Sequence, residues 1–282
     1  IPGTGIYYTT SSGGKKRSSS SNSYARAQAQ AQRQQEKLNE IENNKQEIWN
    51  KKSKTYPKFS PIMRPFERDF FDFLDKSGIE FKGKTLIDIG AGTGVYSLHL
   101  AKLCQSVLAL DLSPAMLEVL QNSANEYNIS NIKTLCGTIK DVEKLKFDIA
   151  FLTMSPALKS DADFEIFTNL AKNHIYMNWL KPRKSDLLEL FMDTNARADM
   201  AAPVARLEAF LNSKNIKFQS KEINENRSVT KNIDEMVENL AWHLEISGQN
   251  YNKHEIKDKI KNLANGDKIS ENITTCVKVM IF

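Results

Sequence analysis

The chain has 282 residues, 40% of them hydrophobic, and its 39 basic and 34 acidic side chains leave a net charge of +5. This is core material for one large domain with an appendage, and no apolar run approaches the ~18–20 residues of a membrane span. Cys104, Cys136 and Cys276 are scattered, odd in number and without C-x-x-C spacing. That excludes a disulfide framework or a cysteine zinc site and points to reduced thiols in the cytoplasm.

Residues 1–23 are rich in Gly, Ser and Thr, and residues 24–46 in Ala, Gln, Glu and Lys, with the repeat Ala27-Gln28-Ala29-Gln30-Ala31-Gln32. Composition makes 1–46 a low-complexity, disordered tail, whose second half has the makings of a polar helix with little to bury. Beginning at Ile1 rather than Met, the chain is expected to be a fragment or processed form, and it opens with no apolar signal-peptide core. Seven basic residues against three acids give the tail +4 of the net charge, so residues 47–282 are nearly neutral. They lack the field of a dedicated nucleic-acid binder, although the tail leaves a nucleic-acid partner open.

A folded domain is expected over 47–282. Helix 61–77 carries Phe66, Phe70, Phe71, Phe73 and Leu74. Then come strand 85–89, helix 95–103, strand 106–111, helix 114–127, strands 132–136 and 147–152, helix 161–172 and strand 174–179. Helices near 185–193 and 200–213, strand 216–223 and a last strand 274–282 complete the pattern. Uniformly apolar strands separated by helices predict an α/β, Rossmann-like fold, a seven-stranded and mostly parallel sheet with helices on both faces. The segment before the last strand is too long for a hairpin loop. It reads as helices 233–246 and 254–263 within an insertion over about 227–272, near the carboxyl edge where such sheets bind ligands. It is a candidate lid carrying Trp242 and His243; a helical pad on the sheet flank is the plainer alternative.

The most specific signal is Thr85-Leu86-Ile87-Asp88-Ile89-Gly90-Ala91-Gly92-Thr93-Gly94. A strand feeding a glycine turn that opens a helix brings backbone N–H groups and a positive helix end to a ligand. The third glycine comes one residue too early for the dinucleotide fingerprint, which argues against a nicotinamide enzyme. A second strand, Ser106–Asp111, ends in an acid at the distance from Asp88 where a carboxylate accepts ribose hydroxyls. Ser113 and Pro114 then open a helix as N-cap and first residue. Acid-x-Gly-x-Gly-x-Gly followed by this acid resembles motif I and its sequel in the class I S-adenosylmethionine (SAM) dependent methyltransferases, of the small-molecule type. Trp49-Asn50 to Tyr56 resembles the lead-in before motif I in many of them. Ile1–Thr9 resembles the closing segment of a small bacterial domain family of unknown function.

The resemblance implies SAM as cofactor, held by Tyr56, Asp88, Gly90, Gly92, Gly94, Asp111, Leu112, Met116, Thr138 and Ile139, with Phe59 an alternative to Tyr56. At the third strand's end the family often has Gly-Asp, whereas here Thr138 follows Gly137 and Asp141 lies near. Methyl transfer from a sulfonium needs mainly proximity, alignment and exclusion of water, so no acid–base signature is required. Ser155, Asn178 and His243 are the candidate catalytic residues; Met154 and Trp179 are further pocket candidates, and His174 reads as structural. Met154-Ser155-Pro156-Ala157 lacks the acceptor and stacking aromatic of amino-directed DNA methyltransferases, which disfavours base flipping. The expected acceptor is a small molecule. The alternatives are an RNA or protein methyltransferase using the basic tail, and a SAM-binding interaction or sensing protein without turnover.

Overall fold

The computed structural model describes residues 19–192 and 202–282. They fall into two units that divide between residues 45 and 46. The first helix, α1 (Ser19–Lys52), runs through most of the segment expected to be disordered; residues 1–18 lie outside the described residues. Ala, Gln, Glu and Lys are strong helix formers, and propensity carries the helix up to its last turns, where Ile48 and Lys52 are buried. Side chains 26–37 and 39–45 are exposed.

Within residues 46–282, α2 (Pro65–Lys76) starts later than expected because Pro65 is its first residue and Glu67 reaches back to accept from Arg64 N at 2.9 Å. Next come β1 (Thr85–Ile89), α3 (Ser97–Ala101), β2 (Ser106–Asp111), α4 (Pro114–Glu126), β3 (Ile132–Cys136), β4 (Ile149–Thr153) and α5 (Asp161–Leu170). They are followed by β5 (Asn173–Ser185), α6 (Ala202–Ser213), β6 (Gln219–Asn232), α7 (Ile233–Ile246), α8 (Lys253–Lys261) and β7 (Lys268–Ile281). The seven strands form one sheet in the order β3-β2-β1-β4-β5-β7-β6. Among the described strands, β7 runs opposite to the other six, pairing antiparallel with β5 and β6. The α/β, Rossmann-like architecture expected from the strand pattern is therefore the fold of the chain.

One face of the sheet packs Leu86, Val107, Phe151 and Val277 against Phe70 and Leu74 of α2, Leu98 of α3 and Leu120 of α4. The other packs Ile87, Leu110, Leu152 and Tyr176 against Phe164 and Phe167 of α5 and Leu207 and Leu211 of α6. A third cluster unites Met236, Leu240 and Leu244 of α7 with Ile256 and Ile260 of α8 and Leu187 and Leu188.

The last three strands are longer than expected. β5 has 13 residues and β6 and β7 have 14 each, against 5 in β1 and β4, so these three run on past the parallel strands at their carboxyl ends. The helix expected near 185–193 is instead the end of β5 and a short 3-10 turn over Leu188–Leu190; residues 193–201 lie outside the described residues. Only the middle of the 227–272 insertion is helical, since its two ends belong to β6 and β7. None of the described helices is long and apolar enough to cross a membrane.

Candidate functional site

The glycine turn leaves β1 with Gly90 at φ 75°, Gly92 at φ 56° and Gly94 at φ 82°. A side chain at Gly90 would meet Ser155 Oγ at 2.0 Å, and one at Gly94 would meet Leu120 Cγ at 2.6 Å. Gly90 thus lets the loop after β1 touch the loop after β4, and Gly94 lets the turn close on α4. In front of Gly92 a Cβ would meet nothing within 4 Å, so a ligand can approach the backbone there.

Two carboxylates flank the turn. Asp111, at the end of β2, accepts from Gly92 N through Oδ2 and from Ser113 N through Oδ1, each at 2.8 Å. These bonds fix its direction and leave further acceptor capacity, because a carboxylate has about four lone-pair sites. Burial raises its pKa, and the two backbone bonds pull the other way. Asp88 is 1% exposed. Its Oδ2 accepts from Ser97 Oγ at 2.5 Å, while Oδ1 is buried and meets no donor among the described residues. Burial pushes this carboxyl up to about 7, against the opposing Ser97 hydrogen bond. A buried acceptor left without a partner costs about 1–3 kcal/mol, which a ligand's N–H or O–H would recover.

The lead-in closes over this edge. Gln46 Nε2 donates to Leu112 O at 2.8 Å, and Ser113 Oγ donates to Asn50 Oδ1 at 2.6 Å. Tyr56 is half-buried, and burial and then Asp111 raise its pKa while Arg227 opposes them, so its phenol lies among these charges. Phe59 goes elsewhere, into the core against His99 and Tyr127. Trp49 stacks edge-on against both Tyr56 and Trp242, with centroids 6.2 Å and 5.2 Å away, joining the lead-in to α7.

The remaining expected residues are placed as follows. Met116 is buried in the first turn of α4, its N donating to Ser113 Oγ at 3.1 Å. Ile139 is buried with Ile87 and Leu110. The Thr138 hydroxyl donates to Asp141 Oδ2 at 3.0 Å, so Asp141, rather than a ligand, receives its proton. Ser155 and Asn178 are brought together: Asn178 Nδ2 donates to Ser155 O and to Tyr176 Oη, both at 3.1 Å, and Oδ1 accepts from Trp179 N at 3.0 Å. Asn178 is thereby committed to bracing the loop after β4. Met154, in that loop, holds φ 45°, an uncommon conformation for a side-chain-bearing residue. Trp179 packs on the core, and the His243 ring lies 4.8 Å from Trp242 on α7. His174 is buried, 3.1 Å from Phe167 O and stacked on Phe282, as a structural residue. Residues missed by sequence reasoning are Tyr96, whose buried Oη has no partner among the described residues, and Lys52, Arg183 and Arg227.

A methyltransferase-domain family model matches residues 86–174. The chain is 31% identical over 98 residues to a probable cobalt-precorrin-6B C(15)-methyltransferase (decarboxylating) of Methanocaldococcus jannaschii, covering 34% of this chain and 52% of that protein. It is 25% identical over 171 residues to a probable ribosomal RNA small subunit methyltransferase A of Methanosphaera stadtmanae, covering 57% and 63%. The chain thus spans about half to two-thirds of the length of these relatives. The structure of a Methanobacterium thermoautotrophicum precorrin 8w decarboxylase superposes with a TM-score of 0.48 at 15% identity, covering 80% of this chain and 95% of that one. Strand order, glycine turn and family match together give this chain a class I SAM-dependent methyltransferase fold.

Proposed function

We propose that the protein transfers a methyl group from SAM to a small-molecule acceptor at the carboxyl edge of the sheet. The observation that carries this reading is Asp88 Oδ1, a buried carboxylate oxygen at the end of β1, beside the glycine turn, with no partner among the described residues. A fold retains such groups where a ligand satisfies them. The near-neutral charge of residues 47–282 supports a small acceptor over a polyanion.

SAM supplies, when bound, an electrophilic methyl on a sulfonium. Asp111, held by Gly92 and Ser113, offers its remaining lone pairs to ribose hydroxyls. Asp88 Oδ1 accepts a buried N–H or O–H donor, and the open face of Gly92 admits the ligand to the backbone. Ser155, braced by Asn178 and touching Gly90, fixes the wall after β4. The lead-in and α7, joined through Trp49 and Trp242, shield the edge from water, so that alignment supplies much of the acceleration.

Calorimetry with SAM and with S-adenosylhomocysteine is expected to show binding to one site, with no competition from NAD. Asp111→Ala is expected to weaken it by about 1–3 kcal/mol, the scale of leaving hydroxyls without a charged acceptor. NAD binding more tightly than SAM would overturn the reading. Turnover on no acceptor despite SAM binding would favour a sensing protein. Trp242→Ala is expected to leave SAM affinity within about threefold, under 1 kcal/mol, while lowering turnover. A larger loss of SAM affinity would place Trp242 in the cofactor site instead of over the acceptor.

A further inference from the structure

Beyond the glycine turn, the overhang of β5, β7 and β6 buries more positive charge than it neutralises. Arg183 Nη2 lies 3.3 Å from Glu271 Oε1, which also accepts from Ser185 Oγ. The Glu271 side chain is 1% exposed and that of Arg183 12%. Arg183 Nη1 is buried with no acceptor among the described residues. Arg227 is paired with Ile273 in the neighbouring strand. Its Nε lies 3.6 Å from Glu225 Oε2, beyond hydrogen-bond range, and is likewise buried without an acceptor. Glu225 is shared with Arg64, at 3.5 Å, which Glu67 also holds.

Lys52, in the last turn of α1, completes the cluster. It is 8% exposed, donates to the neutral Asn239 Oδ1 at 3.1 Å and lies over the Trp242 ring at 4.4 Å. Among the described residues no carboxylate pairs with it. Burial, and then the charges of Lys231 and Arg183, bring its ammonium down to about 8, with Glu271 opposing them. Burial and Arg227 lower Arg183 in the same way, with Glu271 again opposing. Lys52 and Arg183 are thus largely buried, with Glu271 the carboxylate paired to Arg183 among the described residues, and Arg227, whose side chain is 37% exposed, has Glu225. Buried cations short of counter-charge are costly unless something paired with them restores the balance. Lys52 lies over Trp242, which packs on Trp49 and through it on Tyr56, while Asn50 accepts from Ser113 behind Asp111, and these contacts place the cluster beside the glycine-turn edge.

We propose that Arg183, Arg227 and Lys52 form the anion subsite of the methyl acceptor, which is therefore a small molecule bearing a carboxylate or phosphate group. The inference rests on the methyltransferase reading. Guanidinium N–H groups suit either oxyanion, and Tyr56 and Trp242 supply aromatic walls beside the charge.

The test uses the full chain saturated with S-adenosylhomocysteine and titrates benzoate, citrate and inorganic phosphate by calorimetry, with benzamide as the neutral control. At least one anion is expected to bind saturably and benzamide not to bind; which anion binds tells carboxylate from phosphate. Arg227→Gln is expected to weaken that anion by about tenfold or more, the loss of a charge-assisted hydrogen bond, with S-adenosylhomocysteine affinity within about threefold of the parent. The double variant Arg183→Gln, Glu271→Gln removes a buried pair together, leaving no lone carboxylate, and is expected to do the same. The proposal is overturned if no anion binds, if the anion binds the variants as tightly as the parent, or if a single-stranded RNA displaces it through the same arginines. It is overturned too if Arg227→Gln abolishes S-adenosylhomocysteine binding, because the cluster then holds the cofactor's own carboxylate. Failure of S-adenosylhomocysteine to bind the parent chain would remove the methyltransferase reading and the acceptor assignment with it, whereas the anion titrations without it would still report whether the cluster binds oxyanions.

Discussion

Asp88→Asn is expected to stabilise the ligand-free protein at pH 8 and weaken its hold on SAM. The carboxyl is buried, and its folded pKa is about 7 against an ordinary 3.8. A carboxyl whose pKa rises on folding binds more protons in the folded state between those two values. Its cost is therefore absent below about pH 4, grows as pH rises, and is complete above about 7, reaching about 4 kcal/mol at 1.36 kcal/mol per unit. Asn keeps the Ser97 bond and removes the charge, but leaves a buried N–H without an acceptor, which takes back about 1–3 kcal/mol. Urea midpoints at pH 5 and pH 8 should thus fall more steeply for the parent than for the variant. At pH 8 the variant should bind SAM at least about tenfold more weakly, a loss of about 1.4 kcal/mol. Parallel pH profiles would show that Asp88 does not carry this burden.

Gly90→Ala should be among the most destabilising single changes in the domain. Its φ of 75° and a Cβ 2.0 Å from Ser155 Oγ and 2.5 Å from Ser155 Cβ act together. The left-handed backbone costs about 1–2 kcal/mol and the overpacking about 1–3 kcal/mol, so about 2–5 kcal/mol should be lost. Adding Ser155→Gly removes both close atoms and should restore all but the backbone part. A double variant no more stable than Gly90→Ala would show that the clash is relieved by movement elsewhere.

The glycine turn and the strands around it were legible because their signals are local. The turn after β1 needs glycine where φ is positive, and Asp111 must end a buried strand, so spacing alone exposes both. Lys181-Pro182-Arg183-Lys184 and Asn224–Asn232 carry no apolar alternation, so nothing in them marked strands extending to Ser185 and Asn232. Their inward positions hold ion pairs such as Arg183 with Glu271, and polarity concealed the buried face. The pairing of Asn178 with Ser155, and of Trp49 with Trp242, joins residues far apart in the chain and leaves no periodic trace. That the Thr138 hydroxyl donates to Asp141 depends on the turn's geometry, which the residue's place in the sequence does not show.

The position of β7 also shapes how the sheet is completed. It follows β6 in sequence yet lies between β5 and β6, so β6 touches no other strand. Until β7 is laid down, the main-chain edge of β5 is bare along 13 residues and β6 has no strand to join. Loss of β7 would therefore strip two strands from the sheet at once and offer β5 as a template for pairing between molecules. Quality control in the cell would meet such a chain as an aggregating one, although its glycine turn and both flanking acids were intact.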